Sequence, residues 1–341
     1  MSNITVLFFG NDQTVGRCQM ILDCLPITAQ IISKRPETYL ILYIFRLVKS
    51  IFSSRKIIVL NRRSCFFITI LYPLILIRRL KSGLDLVYDM WEFYTFKEHT
   101  SVKSRVGTLF ETFVVKRADN VIVCNKYRMR LVKLFYSVDN ISVIENFRIL
   151  PSCLDYIDDN IKEKFLYLKD DASHFLITNG FSSERNDQSL LDCFSGRKDV
   201  TLTFIGSSTQ SDRLLLEALR HDFYFTNIHF VESVPYKVLA KVIALFDFGV
   251  VNYSVRNLNN KYCASGKIYE FLALGLPVIT SNNPSLRSMV SKRACGLSTS
   301  DFKGSLPYFL SNHTLYKENL SKYDFATLYA QHKKRATNLL T

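Results

Sequence analysis

The sequence lacks several features that would assign the protein to particular classes. Its 341 residues contain no run of the about 20 apolar residues that a membrane-spanning helix needs. The eight cysteines include no Cys-x-x-Cys pair, so neither a zinc site nor a disulfide framework is indicated, and reduced thiols are expected. There is no low-complexity tract and no signal-peptide pattern at the N-terminus. We therefore expect a globular cytoplasmic protein.

Acidic residues are scarce in the first half of the chain. Residues 1–150 contain 22 Lys and Arg against 11 Asp and Glu, a balance of +11, whereas residues 151–341 contain 22 against 19. An excess of positive charge in one half indicates an anionic partner for that half. Because no basic and aromatic module typical of nucleic-acid binding stands out, we expect no nucleic acid and favour anionic lipid headgroups.

One uncharged segment, Cys65–Ile77, supports the lipid interpretation. Basic residues bracket it on both sides, namely Arg62, Arg63, Arg78, Arg79 and Lys81. The segment is shorter than the about 20 residues needed to span a bilayer. Two interpretations remain open: a buried crossover helix of a parallel sheet, or a monotopic surface that dips into the headgroup layer with its arginines on anionic lipid.

The order of patterns along the chain predicts the architecture. Apolar β-rich runs, among them the predicted strands Ile4–Phe9, Ile228–Val231 and Phe248–Val251, alternate with helical patterns from the start, which is typical of parallel sheets covered by helices. The charged stretch 147–172 has no strand pattern and separates two such halves. We predict an N-terminal domain over residues 1–150, a C-terminal domain over 151–322 and a last helix over 323–341 that crosses back to the first domain.

The stretch Ser265–Ser281 predicts a short helix, a tight turn and a buried strand. Ser265 is a candidate N-cap, because its hydroxyl can accept from backbone N–H groups at a helix start. Apolar residues recur at helical spacing from Ile268 onwards. Gly275 can end the helix in a left-handed conformation, and Pro277 prevents its continuation.

Two charged residues of this helix, Lys267 and Glu270, allow two interpretations. Three positions apart, they can form a surface ion pair worth about 0.2–0.5 kcal/mol. Alternatively, the helix start binds a diphosphate through free N–H groups and the Lys267 charge, with close approach allowed by Gly266. A carboxylate one turn further on can then accept hydrogen bonds from both hydroxyls of the attached ribose.

The same stretch closely resembles the C-terminal donor-site motif of GT-B glycosyltransferases of family 4, in the variant with Lys-Ile-Tyr-Glu followed by Ala-Leu-Gly-Leu-Pro-Val-Ile. The resemblance implies that Glu270 binds the ribose of a nucleotide sugar and that Lys267 lies near the diphosphate. Ser265, Gly266 and Ile268 would complete this part of the donor site.

Further segments resemble the donor site of the same family. Gly180 followed by Arg185 resembles a Gly…Lys/Arg pair whose basic residue meets donor phosphate, although a solvated arginine is the alternative. Val234 lies in a segment, Glu232–Pro235, that resembles the one whose backbone holds the nucleotide base. Many members carry a first Glu eight positions before the second, and Tyr262 stands at that position here.

Candidate residues in the first half follow two predicted strands. Gly10 and Asn11 follow the first strand, in a loop that faces the interdomain cleft in a GT-B fold, and are candidates for contact with the donor substrate. Asp89 and Glu92 match a family pattern, Asp-x-His-Glu, in which Trp91 replaces the His and can stack on a sugar face. Packing of aromatic residues under a loop is the alternative explanation of this cluster.

The resemblance implies an α/β protein of GT-B type, with two Rossmann-like, doubly wound parallel-sheet domains facing a cleft. It implies a retaining, metal-independent hexosyltransferase that moves a sugar from a UDP- or GDP-linked donor to a glycan or lipid-linked acceptor. Lys267 and Arg185 would stabilise the departing diphosphate without a cofactor. We expect a role in bacterial surface polysaccharide assembly, peripheral to the inner face of the cytoplasmic membrane. The alternatives are a nucleotide-sugar epimerase of the same fold and a non-catalytic nucleotide-sugar-binding subunit.

Overall fold

The structure, a computed structural model, contains two compact units. The described residues are 4–9, 16–26, 28–34, 39–99, 101–150, 158–169, 171–185, 187–219 and 226–341. The first unit comprises residues 1–147, 257–259 and 330–341, and the second comprises residues 148–256 and 260–329. The sequence gives no indication that residues 257–259 belong with the first unit.

Six strands form the sheet of the first unit: β1 (Ile4–Phe9), β2 (Gln30–Lys34), β3 (Lys56–Val59), β4 (Asp85–Met90), β5 (Asn120–Val123) and β6 (Ile141–Val143). Their spatial order is β2-β1-β3-β4-β5-β6, and every neighbouring pair is parallel. Short apolar runs bounded by polar residues form these strands, and the predicted limits of β1 are confirmed.

Six helices connect these strands: α1 (Gly16–Asp23), α2 (Leu40–Ser53), α3 (Arg62–Ile70), α4 (Tyr72–Ser82), α5 (Val102–Val115) and α6 (Lys126–Tyr136). Alternate residues of β1 belong to different core clusters. Leu7 packs in the cluster that contains Tyr43 of α2, whereas Val6 and Phe8 pack in the cluster that contains Ile21 of α1. The sheet is therefore covered by helices on both faces, as a parallel sheet requires.

The segment Cys65–Ile77 does not form one buried helix. Helix α3 ends at Ile70, and α4 begins at Tyr72 with Pro73 in its first turn. A proline has no N–H to continue the hydrogen bonds of the preceding helix, but it fits the first turn of a new one. Both helices lie in the crossover from β3 to β4 and each has a buried side, but Ile70 and Ile77 are exposed, so the interpretation as a buried crossover helix is confirmed only in part.

Six strands also form the sheet of the second unit: β7 (Ser173–Ile177), β8 (Val200–Ile205), β9 (Ile228–Val231), β10 (Phe248–Val251), β11 (Val278–Ser281) and β12 (Gly296–Thr299). Their spatial order is β12-β11-β10-β7-β8-β9, and all neighbours are parallel. The predicted limits of β9 and β10 are confirmed, as is the prediction of two parallel sheets.

Ten helices are described from residue 158 onwards: α7 (Asp159–Glu163), α8 (Gln188–Phe194), α9 (Gln210–Leu219), α10 (Leu239–Ile243), α11 (Leu258–Lys261), α12 (Lys267–Ala273), α13 (Pro284–Arg293), α14 (Phe302–Ser311), α15 (His313–Ser321) and α16 (Phe325–Leu340). The core of this unit joins strand residues such as Phe175 to α8 and α14 through Phe194 and Phe309.

The first unit completes its core and loops with residues from the end of the sequence and from α11. Ala336 and Leu340 of α16 are buried in the cluster formed with α1. Asn259 is buried and accepts hydrogen bonds through Oδ1 from Arg128 Nη2 at 2.6 Å and from the Phe93 N–H at 3.1 Å. A short segment far along the chain thereby fixes the loop that follows β4.

Two further findings concern covalent and membrane features. The seven cysteines within the described residues are all buried and form no disulfide. In the part of the chain that the structure describes, no helix is both long enough and apolar enough to cross a bilayer.

Candidate functional site

The candidate site of the second unit lies at the carboxyl end of its sheet. Strand β7 has β8 on one side and β10 on the other, so the strand order reverses between β7 and β10. Open parallel sheets bind ligands at such a switch point. Asn179 and Gly180 follow β7 at this edge, and Asn252 and Tyr253 follow β10.

Gly180 allows the loops after β7 and β8 to touch. Its φ is +65°, a left-handed conformation, and a Cβ atom there would lie 2.4 Å from the backbone oxygen of Ser207. Gly206 at the end of β8 faces it, and a Cβ atom there would lie 2.8 Å from the Gly180 nitrogen. Both positions therefore require glycine for conformational and steric reasons.

A buried carboxylate organises the loop that carries Arg185. Asn252 Nδ2 donates to Asp187 Oδ1 at 3.0 Å and to the Arg185 carbonyl at 3.1 Å. The Ser182 N–H donates to Asp187 Oδ2 at 3.0 Å. Burial raises the pKa of Asp187 to about 6, against the hydrogen bonds that favour its ionised form.

These contacts place the Arg185 guanidinium at the switch point. Its Nη1 donates to the Asn179 carbonyl at 3.1 Å, and its Cζ lies 5.8 Å from the centre of the Tyr253 ring. Sequence reasoning identified Arg185 but missed Asp187 and Asn252, which hold its loop.

Helix α12 begins one position later than an N-cap at Ser265 requires. Gly266 is the N-cap, with near-helical φ −71° and ψ −21°, and no side chain caps the helix. The prediction that Ser265 is the N-cap is wrong, because its hydroxyl is buried and has no hydrogen-bond partner among the described residues. The predicted apolar side, which begins with Ile268, is buried, and Gly275 adopts the predicted left-handed conformation with φ +78°.

Glu270 is buried, which excludes the interpretation of Lys267 and Glu270 as a surface ion pair. Its side chain is fully buried, with Arg148 Nε 2.7 Å from Oε1 and Lys267 Nζ 3.3 Å from Oε2. Neither carboxylate oxygen accepts a well-aligned hydrogen bond from the described residues. The carboxylate therefore has neighbouring cations but retains free acceptor capacity.

Positive charges outnumber negative charges around Lys267. Burial lowers the pKa of Lys267, the charges of Arg148 and Arg185 lower it further, and Glu270 opposes them. Three cations thus act on one site that contains a single carboxylate, an arrangement that favours an anionic ligand. Sequence reasoning missed Arg148, since nothing near it in the chain indicates its contact with Glu270.

A cavity of about 360 Å³ opens at the carboxyl ends of β8 and β9. Phe204 and Phe230, which stack with ring centres 5.3 Å apart, line it together with Arg213 and Ser233. The half-buried Val234 is the next residue after Ser233. This cavity is large enough to hold a planar ring against aromatic side chains.

Asp89 in the first unit is bound entirely by protein groups. Its fully buried carboxylate faces Arg17, with Nη2 at 2.6 Å from Oδ1 and Nε at 3.2 Å from Oδ2. Trp91 Nε1 also donates to Oδ2 at 2.8 Å, and its ring stacks on Phe8 at 5.8 Å. Burial lowers the pKa of Arg17, but the charge of Asp89, its hydrogen bond to Arg17 and two nearby cysteines together outweigh this effect, so the net pKa is raised.

The remaining candidate residues of the first unit are Glu92, Gly10 and Asn11. Glu92 is exposed, and its charge acts on Arg62 and Tyr94. Gly10 and Asn11 lie outside the described residues.

Within the described part of the chain, no group of three or more His, Cys, Asp and Glu side chains could hold a metal ion.

Comparison with known proteins identifies the fold. No model of a known protein family matches the chain, and no curated protein matches its sequence. Its structure resembles that of HepE from Anabaena in complex with UDP and glucose, with 12% identity and a TM-score of 0.72 over 100% of this chain and 98% of that one.

Two further solved structures show the range of the similarity. Sucrose-phosphate synthase from Thermosynechococcus elongatus has 14% identity and a TM-score of 0.64, covering 99% of this chain and 94% of that one. A UDP-N-acetylglucosamine 2-epimerase has 11% identity and a TM-score of 0.53, covering 98% and 95%. The chain therefore has the GT-B fold, with two parallel α/β sheets, as the sequence predicts.

Proposed function

We propose that the protein is a glycosyltransferase that uses a nucleotide sugar as donor and binds it in the second unit. The buried Glu270, with its free acceptor capacity beside three cationic side chains, is the observation that supports this proposal. A ribose offers two hydroxyl donors to one carboxylate. The attached diphosphate supplies negative charge that balances the positive charges of Arg148, Arg185 and Lys267. Of the similar structures, HepE was solved in complex with UDP and glucose.

The same cations give the site a means of accelerating transfer. When the bond between the sugar and the diphosphate breaks, negative charge grows on the leaving oxygen. Lys267 and Arg185, held at fixed positions, stabilise this charge more strongly in the transition state than in the bound donor. We propose a metal-independent hexosyl transfer with retention at the anomeric carbon.

The remaining candidates take roles around this centre. In this proposal Ser265, Gly266, Ile268 and Gly180 frame the donor, and the nucleotide base lies near Val234, beside the aromatic cavity. In the first unit, Trp91 stacks on the acceptor sugar, Asp89 positions Trp91 through their hydrogen bond, and Glu92 contributes to the same side. Gly10 and Asn11, outside the described residues, remain candidates for substrate contact. The acceptor is a glycan or a lipid-linked glycan used in surface polysaccharide assembly, on the inner face of the cytoplasmic membrane.

A nucleotide-sugar epimerase is the second candidate, since an epimerase shares the fold with a TM-score of 0.53. Incubation with UDP- and GDP-sugars, with and without a lipid-linked acceptor, separates the candidates. A transferase needs the acceptor, an epimerase changes the sugar without it, and a non-catalytic binding subunit leaves the donor unchanged in both cases.

Replacement of Glu270 by Ala tests the donor site itself. The loss of two hydrogen bonds to a charged group, worth about 3 kcal/mol or more together, should weaken nucleotide-sugar binding at least about 100-fold. Binding of inorganic diphosphate should persist, because the cations remain. Lys267→Ala should instead weaken diphosphate binding and slow turnover more than it weakens donor binding.

Calorimetry with UDP, GDP and inorganic diphosphate measures these effects. The exposed Glu318 of α15 provides a matched control, and Glu318→Ala should bind like the wild type. Diphosphate binding by Glu270→Ala also shows that the variant is folded. Wild-type donor affinity and transfer in Glu270→Ala would exclude this donor site.

A further inference from the structure

Four helices of the first unit form what we call the outer helical layer: α2, α3, α4 and α5. Helix α2 packs against α4, α4 against α3, and α3 against α5. Their inner sides share one core cluster with the sheet, through residues such as Tyr43, Ile68, Ile75 and Val114. They therefore cover one face of the sheet as a continuous layer.

The solvent side of this layer is apolar where a surface helix is normally polar. Large apolar side chains are exposed on all four helices, namely Ile41, Phe45, Ile70, Leu80, Val102 and Leu109. Ile41 is 79% exposed, Phe45 67% and Leu80 81%. Helix α2 is apolar on both sides, since Tyr43 and Leu47 are buried opposite them. A surface patch of this extent indicates a binding surface.

The exposed charges of the layer are all positive. The four helices contain nine basic residues and one acidic residue, Glu111, which is buried. Two of the basic residues hold the fold: Arg62 Nε lies 2.8 Å from Glu111 Oε2, and Arg79 pairs with Asp119. The exposed basic residues Arg46 and Lys49 lie on α2. The sequence-based expectation that the bracketing arginines all face lipid is therefore wrong for Arg62 and Arg79.

We propose that the outer helical layer lies on an anionic phospholipid surface. The exposed apolar side chains would enter the boundary between headgroups and acyl chains, while Arg46, Lys49 and Lys81 bind the phosphates. A second copy of this chain fits the surface poorly, because two such layers would bring like charges together. This proposal rests on the membrane location given in the proposed function. Lipid binding is measured without turnover, so its failure is distinguishable from a failure of the proposed transfer activity.

Sedimentation with vesicles tests the proposal, using phosphatidylglycerol mixed with phosphatidylcholine against phosphatidylcholine alone. The wild-type protein should bind the anionic vesicles at low salt, and added salt should weaken binding. Loss of three basic residues should weaken it about 100-fold, at about fivefold for each residue. The triple variant is Arg46→Gln, Lys49→Gln and Lys81→Gln.

A second triple variant tests the apolar part of the surface. Ile41→Gln, Phe45→Gln and Leu80→Gln change only strongly exposed side chains, so the core is untouched, and binding should fall at least about tenfold. The matched control removes three exposed lysines of the second unit and should bind like the wild type. It combines Lys198→Gln, Lys292→Gln and Lys303→Gln.

Several results would overturn the proposal. Wild-type protein that ignores anionic vesicles at low salt has no such surface. An apolar triple variant that binds like the wild type shows that the layer does not enter the lipid. Equal loss of binding in the control shows that net charge alone is responsible. A wild-type dimer that the apolar variant converts to a monomer identifies a second chain as the partner.

Discussion

Replacement of Asp89 by Asn should destabilise the first unit strongly, even before any effect on transfer is measured. The change keeps the shape of the side chain but removes the negative charge that faces the Arg17 guanidinium at 2.6 Å. The Arg17 and Asp89 side chains are 4% and 0% exposed, so water cannot replace the lost partner. The guanidinium then remains in the core without a counter-charge.

The size of the effect follows from this burial. Removal of one partner of a buried ion pair costs about 3–5 kcal/mol, because the other charge is left uncompensated. A typical domain has about 5–15 kcal/mol of stability in total. At about 2 kcal/mol per molar urea, the midpoint of unfolding should fall by about 2 M.

The single tryptophan of the chain makes the assay specific. Trp91 donates to Asp89 and stacks on Phe8, so its fluorescence reports unfolding at this position of the first unit. Urea titrations of the wild type and of Asp89→Asn should be followed by this signal. Nucleotide binding by calorimetry should remain, since Glu270, Lys267 and Arg185 of the proposed donor site belong to the second unit.

A double variant supplies the control. Arg17→Met combined with Asp89→Leu removes both charges together, and apolar replacement of a whole buried pair is often neutral or stabilising. It should recover most of the stability lost in Asp89→Asn. If Asp89→Asn unfolds at the wild-type urea concentration, the ion pair does not support the fold, and a role confined to the acceptor site becomes the better explanation.

Three further predictions concern the second unit. Arg148→Met should weaken binding of inorganic diphosphate about tenfold in calorimetry, like the loss of one charge-assisted contact, whereas Lys292→Met should not. The pKa of Asp187 is raised to about 6 in the folded protein, above about 4 when unfolded, so stability should fall by about 3 kcal/mol between about pH 4 and pH 6. Asp187→Asn should reduce this dependence of stability on pH, as measured by urea titration at each pH. An unchanged dependence on pH would contradict the prediction. The lowered pKa of Lys267 means that diphosphate affinity should fall as pH rises, and Lys267→Arg should move this loss to higher pH.

Local patterns in the sequence were sufficient for much of the fold. The strands β1, β9 and β10 have the predicted limits because each is a short apolar run between polar residues. The break between α3 and α4 was missed. Pro73 is compatible with the start of a new helix, and the uncharged run around it hides that start.

The sites depend on contacts between distant parts of the chain, which a single sequence does not reveal. Lys267 and Glu270 were found because they lie in one helical turn of a recognisable motif. Arg148 touches Glu270 from a different region, and Arg17 touches Asp89 in the same way. Pairing of this kind determines which charges are buried, and burial in turn sets the free-energy cost of removing one partner.

The assignment of residues 257–259 and 330–341 to the first unit limits how the protein can be divided. A fragment that ends at residue 147 would lack Asn259, which binds Arg128 and the Phe93 N–H, and would expose the core that Ala336 and Leu340 cover. No single cut in the gene yields an intact first unit. Isolated fragments of the second unit should therefore replace residues 257–259 with a designed linker, and domain exchange between related proteins needs crossover points at all four passages of the chain.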